Sequence, residues 1–135
     1  MISIRYIKLS FILFLLGTVS CKSVYYNTYF NARKQYRLAD LKRLESEIPG
    51  SRVTQAVYNQ IYMLAIKKAS AVIELHPKSK WVDDSILMIG KSFYWRGDYG
   101  DALTKFQEMQ ENFPQSALIP ETLYWQGLAY WAAEQ

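Results

Sequence analysis

Two proline-centred junctions, His76-Pro77-Lys78-Ser79 and Phe113-Pro114-Gln115-Ser116, stand 37 residues apart. The patterns on either side of them superimpose under the same shift: Ser79 meets Ser116, Asp84 meets Glu121, Ile86 meets Leu123, Gly90 meets Gly127 and Phe93 meets Tyr130. Upstream, Tyr62 meets Tyr99, Ala65 meets Ala102 and Ile66 meets Leu103. A period in the thirties with two helices per unit implies an α-solenoid, in which each unit buries its apolar face only by stacking on its neighbours. The expected fold class is therefore all-α.

Helical spacing is nearly continuous from Val24 onward. Tyr25, Tyr29, Ala32, Tyr36 and Ala39 share the face of a helix over about 24–47, which stops at Pro49-Gly50. Tyr62, Ala65, Ile66, Ala69 and Val72 belong to a second helix ending at His76-Pro77. Val82, Ile86, Ile89, Gly90 and Phe93 form the stripe of a third, broken at Gly97-Asp98. Tyr99, Ala102, Leu103, Phe106 and Met109 mark a fourth, stopped by Asn112-Phe113-Pro114. A fifth starts near Pro120, with proline in the tolerated first turn, and carries Leu123, Gly127 and Tyr130 on one side. The expected organisation is about five helices: an irregular first pair over 24–76, a repeat over 77–113 and a partial repeat over 114–135. Small residues have a packing role here. Gly90 and Ala102 let paired helices approach closely, and Phe93 and Phe106 fill the space beside them.

The first twenty residues read as a leader. Arg5 and Lys8 precede the apolar run Leu9-Ser10-Phe11-Ile12-Leu13-Phe14-Leu15-Leu16, which is shorter than the roughly 20 residues a spanning helix needs. Small residues follow in Gly17-Thr18-Val19-Ser20, the pattern of a secretory signal. The chain's one cysteine, Cys21, comes next. Together these residues resemble the lipobox of bacterial lipoproteins, with residues 1–20 removed and Cys21 lipidated as the new N-terminus of a 21–135 domain. Thr18 departs from the Leu usual three places before the cysteine. Several acyl chains, at about 0.8 kcal/mol per buried CH₂, would hold a soluble domain to a bilayer. Lys22, where an Asp favours inner-membrane retention, implies by that resemblance the outer membrane, and no acidic run follows the cysteine, which favours its periplasmic leaflet. Lys22, Arg33, Lys34 and Arg37 either meet anionic head groups or form a solvated helix face.

Composition excludes several classes. One cysteine rules out a disulfide framework, and one cysteine with one histidine, His76, argues against a zinc site. The net charge is +4, but it is polarised: residues 22–80 hold 11 basic and 4 acidic residues, and residues 81–135 hold 3 and 8. A nucleic-acid binder concentrates its positive charge on a recognition surface, so none is expected here. No phosphate loop, nucleophile elbow or metal spacing occurs. Asp83-Asp84 read as carboxylates stabilising a helix N-terminus rather than a catalytic pair, and His76 as a packing residue before proline. No catalytic residue, cofactor, metal or small-molecule substrate is expected.

Ile86, Ile89, Gly90, Phe93, Ala102, Phe106 and Pro114 stand at the spacing of the tetratricopeptide repeat, with Met109 in place of its second-helix Ala and about three extra residues after each junction proline. The junctions resemble those of the outer-membrane assembly lipoprotein family (BamD-like), and Tyr25-Tyr26-Asn27-Thr28-Tyr29-Phe30-Asn31-Ala32 resembles the opening of uncharacterised repeat lipoproteins of Bacteroidetes-type bacteria. The resemblance implies a non-enzymatic periplasmic scaffold whose partners are outer-membrane assembly or secretion components and extended client segments. A coordinator of envelope or cell-division machinery with peptidoglycan-linked partners remains an alternative, as does the N-terminal part of a longer protein with its activity beyond residue 135.

First helices of stacked repeats line the concave face in this family. Asp84, Leu87, Lys91 and Tyr94, with Glu121, Tyr124, Leu128 and Trp131 37 residues later, are therefore expected to form a partner-binding groove with apolar walls and acidic entrances, suited to an extended or helical peptide carrying aromatic residues. The internal stripe is expected to continue through Leu123, Gly127 and Tyr130. The last helix is apolar nearly all round, which predicts a longer protein or a partner that covers it.

Overall fold

The computed structural model describes residues 26–135, and the leader, Cys21, Lys22 and Tyr25 lie outside them. Among the described residues five helices run in chain order: α1 over 26–46, α2 Gln55–Leu75, α3 Val82–Arg96, α4 Tyr99–Asn112 and α5 Ile119–Glu134. Among the described residues no strand occurs, and no helix is long and apolar enough to cross a membrane.

The repeat is visible at the level of single hydrogen bonds. At the end of α2 the His76 N–H donates to the Val72 carbonyl, and at the end of α4 the Phe113 N–H donates to that of Met109, both 2.9 Å. Ser79 N–H donates to His76 O at 2.8 Å, and Ser116 N–H to Phe113 O at 2.9 Å. Each serine hydroxyl oxygen then accepts from the backbone two residues on, Trp81 N–H in one case and Leu118 N–H in the other. Ser85 and Thr122, again 37 apart, return their hydroxyl protons to the carbonyls of Trp81 and Leu118, at 2.6 and 2.9 Å. A proline cannot continue a helix and a serine two residues later organises the turn. The same proline and serine at the same spacing, with the same hydrogen bonds around them, therefore give the same bend twice. Within this bend Pro114 is exposed, so it ends α4 and does not join the core as the repeat consensus implied.

The α3–α4 corner has a different device. Gly97 adopts φ 87° and Asp98 N–H reaches back to Phe93 O while Gly97 N–H bonds Tyr94 O, both at 3.0 Å. This is a Schellman termination, which places the left-handed residue where a side chain would be strained.

Helices pack in chain order, α2 on α3, α3 on α4 and α4 on α5, with α3 also touching α5. Tyr29 and Ala32 of α1 join Ala69 and Val72 of α2 and Met88 and Ile89 of α3 in one apolar cluster. A second holds Leu87, Ala102, Phe106 and Ala129, and a third Val82, Ile86 and Met109. Full burial of a side chain such as Ile86, Ile89 or Met109 contributes about 1.5–3 kcal/mol. Gly90 sits against Phe106 so closely that a Cβ there would lie 2.5 Å from the ring's Cε1. Ile86, Ile89, Gly90, Ala102 and Phe106 are buried as the repeat spacing implied, and Phe93 is half-buried between two clusters.

The stripe expected to continue into α5 does not. Leu123 is 50% exposed, Tyr130 56%, and Gly127 has nothing within 4 Å of a built Cβ. In α3 the equivalent face meets α4; in α5 that face has no described helix to pack on. What α5 buries instead is Thr122 and Ala129, the latter among Leu87 of α3 and Ala102 and Phe106 of α4. Their counterparts 37 residues earlier, Ser85 and Ser92, are fully buried too. These small buried residues stand seven apart on each of the two helices.

Candidate functional site

The odd-numbered helices share one side of the stack. Where α1, α3 and α5 converge, a depression of about 380 Å³ opens, lined by Tyr29, Arg33, Tyr36, Arg37 and Asp40 from α1, by Trp81, Asp84, Leu87, Met88 and Lys91 from α3 and its junction, and by Leu118 and Glu121 at α5. Four of the eight residues expected in a groove, Asp84, Leu87, Lys91 and Glu121, stand in this wall. Leu87 forms apolar floor, being 5% exposed.

The walls are stiffened by aromatic and charged contacts. Tyr29 stacks on Trp81 with ring centroids 4.5 Å apart and planes 10° from parallel, and its hydroxyl donates to Asp84 Oδ1 at 3.2 Å. Lys91 Nζ lies 2.8 Å from Glu121 Oε1, 5.4 Å from the Tyr36 ring centre and 5.2 Å from that of Trp125. The Trp125 indole N–H donates to the same Glu121 oxygen at 3.2 Å. Tyr62 donates to Asp40 Oδ1 at 2.6 Å, tying α2 to the rim. Asp83 points the other way: its Oδ2 accepts from the Ser116 hydroxyl at 2.7 Å, so it joins the start of α3 to the next junction. Both carboxylates of the pair thus lie in the first turn of α3, and each also holds another segment.

Burial and neighbouring charge set the protonation states. Asp84 is pushed above the usual carboxylate range by burial first and by the charge of Asp83, against the opposing pull of the Tyr29 hydroxyl and Arg33. Burial acts on Glu121 in the same sense, but the hydrogen bond and charge of Lys91 together outweigh it and hold the carboxyl below its ordinary value. Tyr29 is raised to about 12 by burial and by Asp84. Tyr36 is raised by burial and by Asp40, so both phenols remain neutral donors. Arg33 and Arg37 are exposed at the mouth, and neither is in an ion pair among the described residues.

The other expected groove residues lie further along. Tyr94 is half-buried, edge-on to Trp125 at 5.3 Å and tilted against Tyr99 at 5.7 Å. Leu128 is half-buried, while Tyr124 and Trp131 are each 63% exposed. The contribution of α1, above all Arg33, Tyr36, Arg37 and Asp40, was not expected. The 37-residue shift reaches back to α2 but not to α1, so it could not set the register of α1 against α3. The expected acidic entrances are also incomplete, because three basic side chains share the depression with three carboxylates. No group of three or more His, Cys, Asp or Glu among the described residues is arranged to hold a metal.

A stack of antiparallel helical pairs whose first helices frame one hollow defines a helical-repeat scaffold of the tetratricopeptide type. The family comparison narrows the class: the chain belongs to the outer-membrane lipoprotein family YfiO, whose profile matches residues 50–135, from the turn before α2 to the end of α5. No match was found among curated proteins or among solved structures. α1, which supplies five of the depression's residues, precedes the matched segment.

Proposed function

We propose that this outer-membrane lipoprotein is tethered through Cys21, faces the periplasm and acts as a scaffold in outer-membrane protein assembly or secretion, holding partner proteins on the face shared by α1, α3 and α5. The observation that carries this reading is the convergence of those three helices on a depression whose lining is aromatic and charged rather than purely apolar. Arg33 and Arg37 offer guanidinium groups without ion-pair partners among the described residues, beside the Tyr36 ring and the carboxylates of Asp40 and Glu121, which already accept from Tyr62 and from Lys91 and Trp125. Such a lining suits an extended or helical protein segment carrying aromatic residues beside charges, with the rings as anchors. Exposed Tyr124 and Trp131 extend the same helix row and lengthen the contact.

Photo-crosslinking residues at Arg37 and Tyr124, with Gln107 on α4 as the control, test the assignment in living cells. Positions 37 and 124 should trap the same envelope protein and position 107 should not. Equal trapping from all three positions would refute a concave binding face. Labelled palmitate incorporation, lost on Cys21→Ser together with membrane association, tests the tether separately.

A further inference from the structure

We propose that the outward face of α1 lies flat on an anionic lipid surface, so that the scaffold is held to its membrane along a helix as well as at a point. Phe30, Leu38 and Leu41 are 51, 40 and 63% exposed, and with Tyr26 and Leu44 they form one stripe along the helix. Arg33, Lys34 and Arg37 are interleaved with them. Phe30, Arg33, Lys34, Arg37, Leu38 and Leu41 together line a shallow hollow of about 300 Å³. The carboxylate at the far end of this face, Glu45, is taken by Lys42 at 2.6 Å, and none of the three central cations is in an ion pair among the described residues.

Apolar side chains interleaved with unneutralised basic ones are what an interfacial helix needs: the apolar groups enter the head-group boundary and the cations meet lipid phosphates. The same charges oppose a second copy as the cover. In an isologous dimer built on this face, Arg33, Lys34 and Arg37 would crowd against their own counterparts. Position agrees. This step rests on Cys21 as the tether, and the five residues from Cys21 to Tyr26 reach at most about 18 Å, less than the roughly 32 Å length of α1. Arg33 and Arg37 also stand at the mouth of the concave depression. A partner segment entering it would therefore approach along the membrane surface.

The test uses the chain from residue 21 carrying Cys21→Ser, which cannot be acylated, so its result is independent of the tether. It should sediment with vesicles of phosphatidylcholine containing about one-third phosphatidylglycerol and not with pure phosphatidylcholine. Reversing Arg33, Lys34 and Arg37 to Glu should weaken binding roughly 100-fold, from the contribution of three basic residues near a charged surface. Reversing exposed Arg52, Lys67 and Lys78, the same change in net charge, should leave it within about threefold. A polarity-sensitive dye on Leu41→Cys should shift to the blue with anionic vesicles, and one on Gln107→Cys should not. The dye readout stands even if a charge reversal disturbs folding. Equal binding to both vesicles, equal loss in the two triple variants, or a dye shift absent at 41 or equal at 107 would overturn the proposal. So would a dimer that Phe30→Ser with Leu41→Ser dissociates without changing vesicle binding.

Discussion

Gly90→Ala is the sharpest probe of the repeat packing because two effects of known size oppose each other. In an open helix the substitution gains about 1 kcal/mol of helix propensity. At Gly90 the new Cβ would sit 2.5 Å from Phe106 Cε1 and 2.9 Å from Cδ1, distances that real Cβ contacts do not show. Phe106 cannot swing aside easily. Its ring is fully buried in the cluster that holds Leu87, Ala102 and Ala129. Forcing a methyl group into such a site costs about 1–3 kcal/mol, and the closeness of this contact places it at the upper end. The net loss should be about 1–2 kcal/mol. With an unfolding entropy of about 2.1 cal/mol/K per residue over about 110 residues, that lowers the melting temperature by roughly 4–9 °C. Gly127, the residue 37 positions on, has nothing within 4 Å of its built Cβ. Gly127→Ala should therefore raise the melting temperature, by up to about 4 °C. Thermal denaturation followed by circular dichroism reads both. Phe106→Leu placed on Gly90→Ala should recover part of the loss, giving a double variant more stable than the two single losses sum to. A Gly90→Ala protein as stable as the parent would refute the helix approach described above.

Two further outcomes test the cluster around Ala102 and the depression. Ala102 is fully buried among Leu87, Phe106 and Ala129, so Ala102→Leu should overpack that cluster and cost about 1–3 kcal/mol in thermal denaturation, without a change in helix content at low temperature. Asp84 has a raised pKa, so its favourable contribution is present below its unfolded value near 3.8 and is lost as pH rises through the folded value. Asp84→Asn keeps an oxygen for the Tyr29 hydroxyl and removes the buried charge. It should match or exceed the parent's melting temperature at pH 7, and the difference should close below about pH 3.8. A clearly less stable Asn variant at pH 7 would mean that the ionised carboxylate is favoured there.

Much of the fold was legible because its signals are local. Pro77 and Pro114 end helices wherever they fall, Gly97 supplies the left-handed residue at a corner, and the apolar residues recur at helical spacing. Those rules need no knowledge of neighbours. The partner face was half legible. Asp84, Leu87, Lys91 and Glu121 followed from one helix register carried across the repeat, but the basic and aromatic share from α1 did not, because an irregular first pair gives no periodic relation to α3. Ser85, Ser92, Thr122 and Ala129 were missed as buried small residues of α3 and α5. The available signal was small residues seven apart in two helices, easily passed over beside the larger apolar stripe.

The amino-acid order alone determined the all-α class, the five helices among the described residues and the repeat length, since each follows from short-range backbone chemistry. Tertiary structure decided which of two chemically alike residues does which task. Gly90 and Gly127 are the same residue in the same repeat position, yet one is pressed against an aromatic ring and the other is open. Ile86 and Leu123 are both aliphatic, yet one is 1% and the other 50% exposed. The physical reason is that burial belongs to a pair of surfaces: α3 has α2 on one side and α4 on the other, whereas α5 packs on α4 and touches α3, leaving its second face uncovered among the described residues.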